Sequence, residues 1–251
     1  MSTATASSLQ REPELFGQTV VVIGGSAGIG LETGRRARVA GANLILTARN
    51  PERVAHAARE LGALSSDAFD ATDFERLERF FDELPAPIDH LLVTAGGLYY
   101  ARLADIDFAQ ARRNVDHALW LPLHIARCAI GKVRPGGTLL FIGGIGGRRP
   151  SASPLVAAFT AAIPALIRSL ALELAPVRVN LIAPGFVDTP LSASLLGDQL
   201  DVRREQLRTT LPIRRVVGSD DIAALAIHLM NNTAITGATY DIDGGQQLVE
   251  G

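Results

Sequence analysis

Short runs of β-branched and aliphatic residues alternate along the chain with longer stretches of helical period, and glycine or proline punctuates most junctions. Thr19 to Ile23 is an unbroken β-branched run, the pattern of a strand buried on both faces of a parallel sheet. Leu31 to Ala40 follows as a helix stopped by Gly41, then Asn43 to Ala48 as a second strand, with Pro51-Glu52 opening another helix. Phe74 to Leu84 is helical, with Asp73 as a candidate cap, and Pro85-Ala86-Pro87 breaks it. His90 to Thr94 and Leu139 to Ile142 read as the fourth and fifth strands, separated by a helical pattern from Ile106 to Ala129. Ser153-Pro154 starts a helix that runs towards Leu174. Val177 to Ala183 is the sixth strand, Asp220 to Met230 a helix and Ala238 to Ile242 the last strand. Residues 191 to 217, polar and arginine-bearing, have the weakest pattern.

This alternation predicts a parallel sheet covered on both faces. The expected architecture is a single doubly wound α/β domain over residues 18–251, following a polar tail at 1–17. It should hold about seven strands in the order 3-2-1-4-5-6-7. A hydrophobic content of 47% supplies ample core for a 251-residue chain. The net charge of −2, with no clustered basic stretch, argues against nucleic acid as a partner. The first dozen residues lack an apolar signal core, and no uninterrupted apolar run reaches membrane-spanning length. A cytoplasmic protein without membrane association is the expectation. Cys128 is the only cysteine, which excludes an intramolecular disulfide and a cysteine-based metal cluster.

The candidate chemistry starts where the first strand meets its helix. The strand runs into Gly24-Gly25-Ser26-Ala27-Gly28-Ile29-Gly30, and strand, glycine turn, helix is the geometry that brings a helix N-terminus up to a phosphate. Gly24 permits the turn, Gly28 admits a pyrophosphate to the backbone, and Gly30 allows close helix–strand packing. In NAD-binding folds an acidic residue near the end of the second strand receives the adenosine ribose. Here Ala48 and Arg49 stand there, and an arginine fork suits a 2′-phosphate, with Ser26 as a second donor. The alternative for Arg49 is a solvated residue at a helix start.

The spacing Gly24-x-x-x-Gly28-x-Gly30 resembles that of the short-chain dehydrogenase/reductase family, and the resemblance extends from about Gln18 to Leu248. It implies a Rossmann-type fold and an NADP(H) site. That site would take in Gly24, Ser26, Gly28, Ile29, Gly30, Arg49 and Asn50. Asp70 and Ala71 would lie at the adenine, and Ala95 and Gly96 after the fourth strand. The stretch Pro184-Gly185-Phe186-Val187-Asp188-Thr189-Pro190 would lie beside the nicotinamide, with Pro184 and Gly185 in contact. Val187 would reach the carboxamide through its backbone and Thr189 through its hydroxyl. Residues 191–217 would form a lid over a small-molecule substrate.

The same resemblance implies a serine, a tyrosine, a lysine four residues later and a helical asparagine as the proton-handling groups. Ser169 to Ala175 and Arg178-Val179-Asn180 fix the register. The serine place falls on Gly144, the tyrosine on Val156, the lysine on Thr160 and the asparagine on Asp116, so none of the four is present. A tyrosine with a lysine four positions later occurs nowhere: Leu103, Ala104 and Gly244 stand at that spacing from Tyr99, Tyr100 and Tyr240. Lys132, the only lysine, precedes the fifth strand, away from the strand ends where ligands bind. Pro164 should kink the helix near Thr160.

Candidate replacements are Asp116, as a carboxyl with a raised pKa, and Tyr99 or Tyr100 beyond the fourth strand. Backbone N–H groups of Gly143 to Gly147 could face an oxyanion, and Arg148 or Arg149 a substrate carboxylate. His117 and His124, seven apart, should share a helix face. Three functions stay open: an atypical NADP(H)-dependent oxidoreductase acting on a carbonyl or alcohol, a catalytically silent NADP(H)-binding sensor or partner subunit, and a non-redox enzyme using the same pocket. The helix from Leu155 to Leu174 is apolar nearly all round, which predicts a homo-oligomer, a dimer or tetramer. No metal ligand set stands out.

Overall fold

The structure, a computed structural model, describes residues 14–97, 99–148 and 153–249. Most of the expected tail and Arg149 lie outside these residues. The strands of the main sheet are β1 Thr19–Ile23, β2 Asn43–Ala48, β3 Ser65–Ala68, β4 Ile88–Val93, β5 Val133–Ile142, β6 Arg178–Pro184 and β9 Thr239–Ile242. Their order is β3-β2-β1-β4-β5-β6-β9 and every pairing is parallel. The predicted order therefore holds, β9 being the seventh strand of the sequence reading. Two further strands, β7 Val187–Asp188 and β8 Val217–Gly218, pair with each other in a separate parallel ladder. They are two residues long and carry no pattern to read.

The helices flanking the sheet are α1 Gly28–Val39, α2 Pro51–Leu61, α3 Phe74–Glu83, α4 Phe108–Val115, α5 Leu121–Ala129, α6 Pro154–Glu173, α7 Pro190–Leu196, α8 Leu200–Thr210 and α9 Ser219–Asn231. One apolar cluster lies between the sheet and α3, α5 and α6, centred on Leu91, Leu139 and Ile167. The other, on the opposite face, joins Val20, Val22, Leu44 and Leu140 to Ile222 and Leu229 of α9. Parallel strands buried on both faces explain why β1 and β2 read as continuous apolar runs rather than as alternation.

Three expectations need correction. The helix expected from Ile106 to Ala129 is two helices joined by a π turn at Asp116–Trp120, where the Leu121 N–H bonds the Asp116 carbonyl. Pro122 has no N–H to offer the turn before it, and the widened turn absorbs that loss. β5 begins at Val133, six residues earlier than expected. Opposite Ile88 and His90 its partners are Val133 and Thr138, so Arg134 to Gly137 bulge out of the ladder and hide its start. The weakly patterned segment 191–217 folds into α7 and α8.

α6 is one unbroken 20-residue helix through Pro164, whose side chain is buried. With 20 residues and a mean hydropathy of 1.9 it is, by length and composition, apolar enough to cross a membrane, although Thr160, Arg168 and Ser169 interrupt the apolar run. Val156, Thr160, Pro164, Ile167, Leu170 and Ala171 are buried, and only a third of its apolar window is covered.

Candidate functional site

The glycine turn is built by contacts that only glycine tolerates. A Cβ on Gly30 would lie 2.2 Å from the Gly24 carbonyl oxygen and 2.7 Å from Thr94 Oγ1, so the first turn of α1 presses on the end of β1. Gly24, at φ +102°, sits equally close to Thr94 and Ala95. The Thr94 hydroxyl donates to the Gly24 carbonyl at 3.0 Å, and the N–H groups of Gly24 and Gly25 both donate to Thr47 at 2.9 Å. Thr94 thus ties the end of β4 to the glycine turn.

α1 leaves its N-terminus open. Its cap residue is Ala27, no side chain caps it, and its first turn holds no acidic residue. Free N–H groups at the positive end of a twelve-residue helix form a receiver for an anion. Across from it, a Cβ on Gly28 would stand 3.5 Å from Thr189 Cγ2 and 3.9 Å from Pro190 Cδ, so the end of the Pro184 to Pro190 stretch faces the glycine turn.

Arg49 and Asn50 are exposed at the end of β2, where the Asn50 side chain accepts from the Arg53 N–H and caps α2. Ser26 and Ile29 are half-buried in the turn itself. Asp70 follows β3, and its Oδ1 accepts from Thr72 N at 2.9 Å and Thr72 Oγ1 at 2.8 Å. Partial desolvation alone would raise the Asp70 pKa, but the two Thr72 bonds, Arg49 and His117 outweigh it and hold it below the ordinary carboxylate value. Ala71 is buried beside it, and Ala95 packs against the core. Val187 is buried, its carbonyl accepting from Ser192 Oγ at 2.8 Å. The Thr189 hydroxyl oxygen accepts from the Ser192 N–H at 3.2 Å and caps α7. The Phe186 N–H next to Gly185 donates to Gln246 Oε1 at 2.8 Å, which holds the strand end after Pro184 in place.

The positions read as the serine, tyrosine and lysine places do converge. A Cβ on Gly144 would lie 3.5 Å from Thr160 Cγ2, and one on Gly146 would lie 2.8 Å from Val156 Cγ1. Val156 and Thr160 are both buried, one turn apart on α6, facing the end of β5. The Thr160 hydroxyl donates to the Val156 carbonyl at 2.6 Å, so it is committed to its own helix. Among the described residues the loop from Gly143 to Gly147 contains no positive φ, so it lacks the alternating backbone of an anion nest. Lys132 donates to the Asp82 carbonyl at 3.2 Å, at the far end of the sheet.

Two residues before Asp116, Asn114 is 6% exposed, and its Nδ2 donates to the Gly97 carbonyl at 2.7 Å, just past Ala95-Gly96. Asp116, half-buried, begins the π turn. An asparagine that the sequence reading did not name is therefore present on this helix beside the end of β4. A polar residue on the buried face of α4 was the signal that could have found it.

Other candidates have prior engagements. The Tyr99 hydroxyl accepts from the Asp107 N–H at 2.9 Å and donates to the Asp105 carbonyl at 3.4 Å. Tyr100 is 60% exposed, yet desolvation still raises its phenol, the reverse of what an activated proton donor needs. Arg148 is not free for a carboxylate: it forks onto Asp241 at 2.7 and 2.9 Å, and the bond raises its pKa while lowering that of Asp241. His124 stacks on Phe74 with ring centroids 3.8 Å apart, and the π turn separates it from His117.

Fold and turn define a doubly wound α/β protein whose first helix end is built to receive an anion. A family model described as enoyl-(acyl carrier protein) reductase matches residues 24–247. Short-chain dehydrogenase/reductase ATR9 of Stachybotrys chlorohalonatus is 30% identical over 261 residues, covering 94% of this chain and 99% of that protein. The chain belongs to the short-chain dehydrogenase/reductase family. Among solved structures, MalC reductase/Diels-Alderase of Malbranchea aurantiaca superimposes with a TM-score of 0.86 at 25% identity, covering 94% of this chain and 99% of its own. A small-chain dehydrogenase in complex with NADPH gives 0.80 at 28% identity, covering 92% of this chain and 99% of its own.

Proposed function

We propose that this protein is an NADP(H)-dependent oxidoreductase that acts on a small carbonyl or alcohol substrate without the usual Ser-Tyr-Lys machinery. The observation that carries the reading is the uncapped N-terminus of α1 held against the glycine turn, with Arg49 exposed at the neighbouring strand end. The N–H groups of that helix end would hold the pyrophosphate, and Arg49 with Ser26 the 2′-phosphate. The NADPH-bound relative supports the cofactor. Bound NADPH supplies a hydride, whose transfer depends chiefly on orientation. Val187 and Thr189 would supply that orientation at the nicotinamide. The places of the three usual proton-handling groups hold Gly144, Val156 and Thr160, so the proton that the alkoxide takes up comes from water or from another group of this chain. General acid–base catalysis commonly contributes about 10²–10⁴-fold, so turnover of simple ketones should be slow although NADPH binds.

A fluorescence titration with NADPH and NADH, run beside a turnover screen of mixed carbonyls, tests this. NADPH should bind more tightly, and Arg49→Ala should weaken NADPH far more than NADH. Tighter binding of NADH would overturn the cofactor assignment. A second reading, a non-redox enzyme using the same pocket, is favoured by the likeness to a protein described as a reductase/Diels-Alderase. Substrate conversion without any change in NADPH absorbance would select it.

A further inference from the structure

The excursion between β7 and β8 is closed at its base by their parallel pairing, Val187 with Val217 and Asp188 with Gly218. It contains α7 and α8, and little apolar burial holds either in place: α7 buries no residue, and α8 buries only Leu207. Leu207 and, at the C-cap, Leu211 anchor the far end of α8, and polar contacts hold the rest. Arg204 turns back from α8 and forks onto Asp188, with Nε 2.9 Å from Oδ2 and Nη2 2.8 Å from Oδ1. Its Nη1 also donates to Asp201 at 2.9 Å. The neighbouring Arg203 guanidinium lies 6.0 Å from the centre of the Phe186 ring.

We propose that Arg204 is a positioning residue that, through Asp188, latches the lid helix α8 to the strand bordering the nicotinamide end of the cleft; this rests on the cofactor reading above. The latch is half-shielded, with 29% of the Arg204 side chain and 33% of the Asp188 side chain exposed. That geometry places it above an ordinary surface ion pair, because two parallel charge-assisted bonds fix direction as well as distance. Asp188 stands between Val187 and Thr189, the two residues assigned to the nicotinamide. Both are already tied to Ser192, which joins the start of α7 to the same strand. Lid and cofactor-contact strand thus share one knot, and a lid released at Arg204 frees the strand at Asp188. Since two carboxylates neutralise Arg204, its role is internal and not capture of an anionic substrate.

The test compares NADPH with 2′,5′-ADP, a probe that fills the adenosine end and has no nicotinamide. Arg204→Gln and Asp188→Asn should each weaken NADPH about tenfold and leave 2′,5′-ADP unchanged. The double variant should be no worse than either single one, and Arg204→Lys should fall between. Chymotrypsin should cut Arg204→Gln faster than the parent protein between residues 191 and 217. Unchanged NADPH affinity in Arg204→Gln, or parallel loss of both probes, overturns the proposal. If the parent protein binds neither probe, the cofactor reading fails by itself. Proteolysis then decides the latch, and unchanged cutting refutes it.

Discussion

His90 makes the stability of this protein depend on pH in a window that most of its carboxylates do not reach. The residue is 1% exposed in the middle of β4, paired with Val20 and Thr138. Its Nε2 lies 2.7 Å from Gln18 Oε1, so Nε2 carries the hydrogen and donates it, and Nδ1 is buried without a partner. Burial is the main cause that lowers its pKa from 6.5 to about 4; Arg134 and Arg178 add to the effect and Asp89 opposes it. Because the folded value lies below the unfolded one, the unfolded chain binds more protons between these two values. Stability is present above the unfolded pKa and drains away as pH falls towards the folded one. From the two values, the loss between pH 7 and pH 5 is about 2 kcal/mol. Urea denaturation of the parent protein and of His90→Asn at pH 7, 6 and 5 measures it. The variant should be less stable at pH 7 and should lose about 2 kcal/mol less on acidification. Equal pH dependence in the two proteins, or an NMR titration that protonates His90 near pH 6.5 in the folded state, would refute the reasoning.

Other expectations follow from the site. Gly30→Ala places a Cβ 2.2 Å from the Gly24 carbonyl, so it should abolish NADPH binding and lower the thermal midpoint, read by titration and calorimetry. Asn114→Ala leaves the Gly97 carbonyl without its donor in a buried place and should cost about 1–3 kcal/mol in denaturant melts. Asn114→Asp should cost more, because a carboxylate would then face that carbonyl. The uncovered part of α6, with Trp120 50% and Phe108 70% exposed on the adjoining helices, calls for a second copy, so light scattering at micromolar concentration should report a dimer or larger. A monomer there would contradict it.

The sequence by itself determined the sheet and the glycine turn at its centre, because both are written in local pattern. β1 and β2 are apolar runs that suit only a strand buried on both faces, and the glycine spacing at 24, 28 and 30 meets a helix start directly after such a strand. The lysine-free end of β5 was equally legible, since it needed only register. Tertiary structure decided what depends on which side of an element faces which neighbour. Asn114 was missed because its place is set by a partner 17 residues away, the Gly97 carbonyl, which only the packing of α4 against the end of β4 brings within reach. Tyr99 and Arg148 looked available as isolated side chains. Their partners, Asp107 and Asp241, stand 8 and 93 residues away and come within reach only once the loop and the last strand are assembled. The pairing of Arg204 with Asp188 has the same origin: a hydrogen bond is set by distance in space, and between loops sequence carries almost no record of that distance.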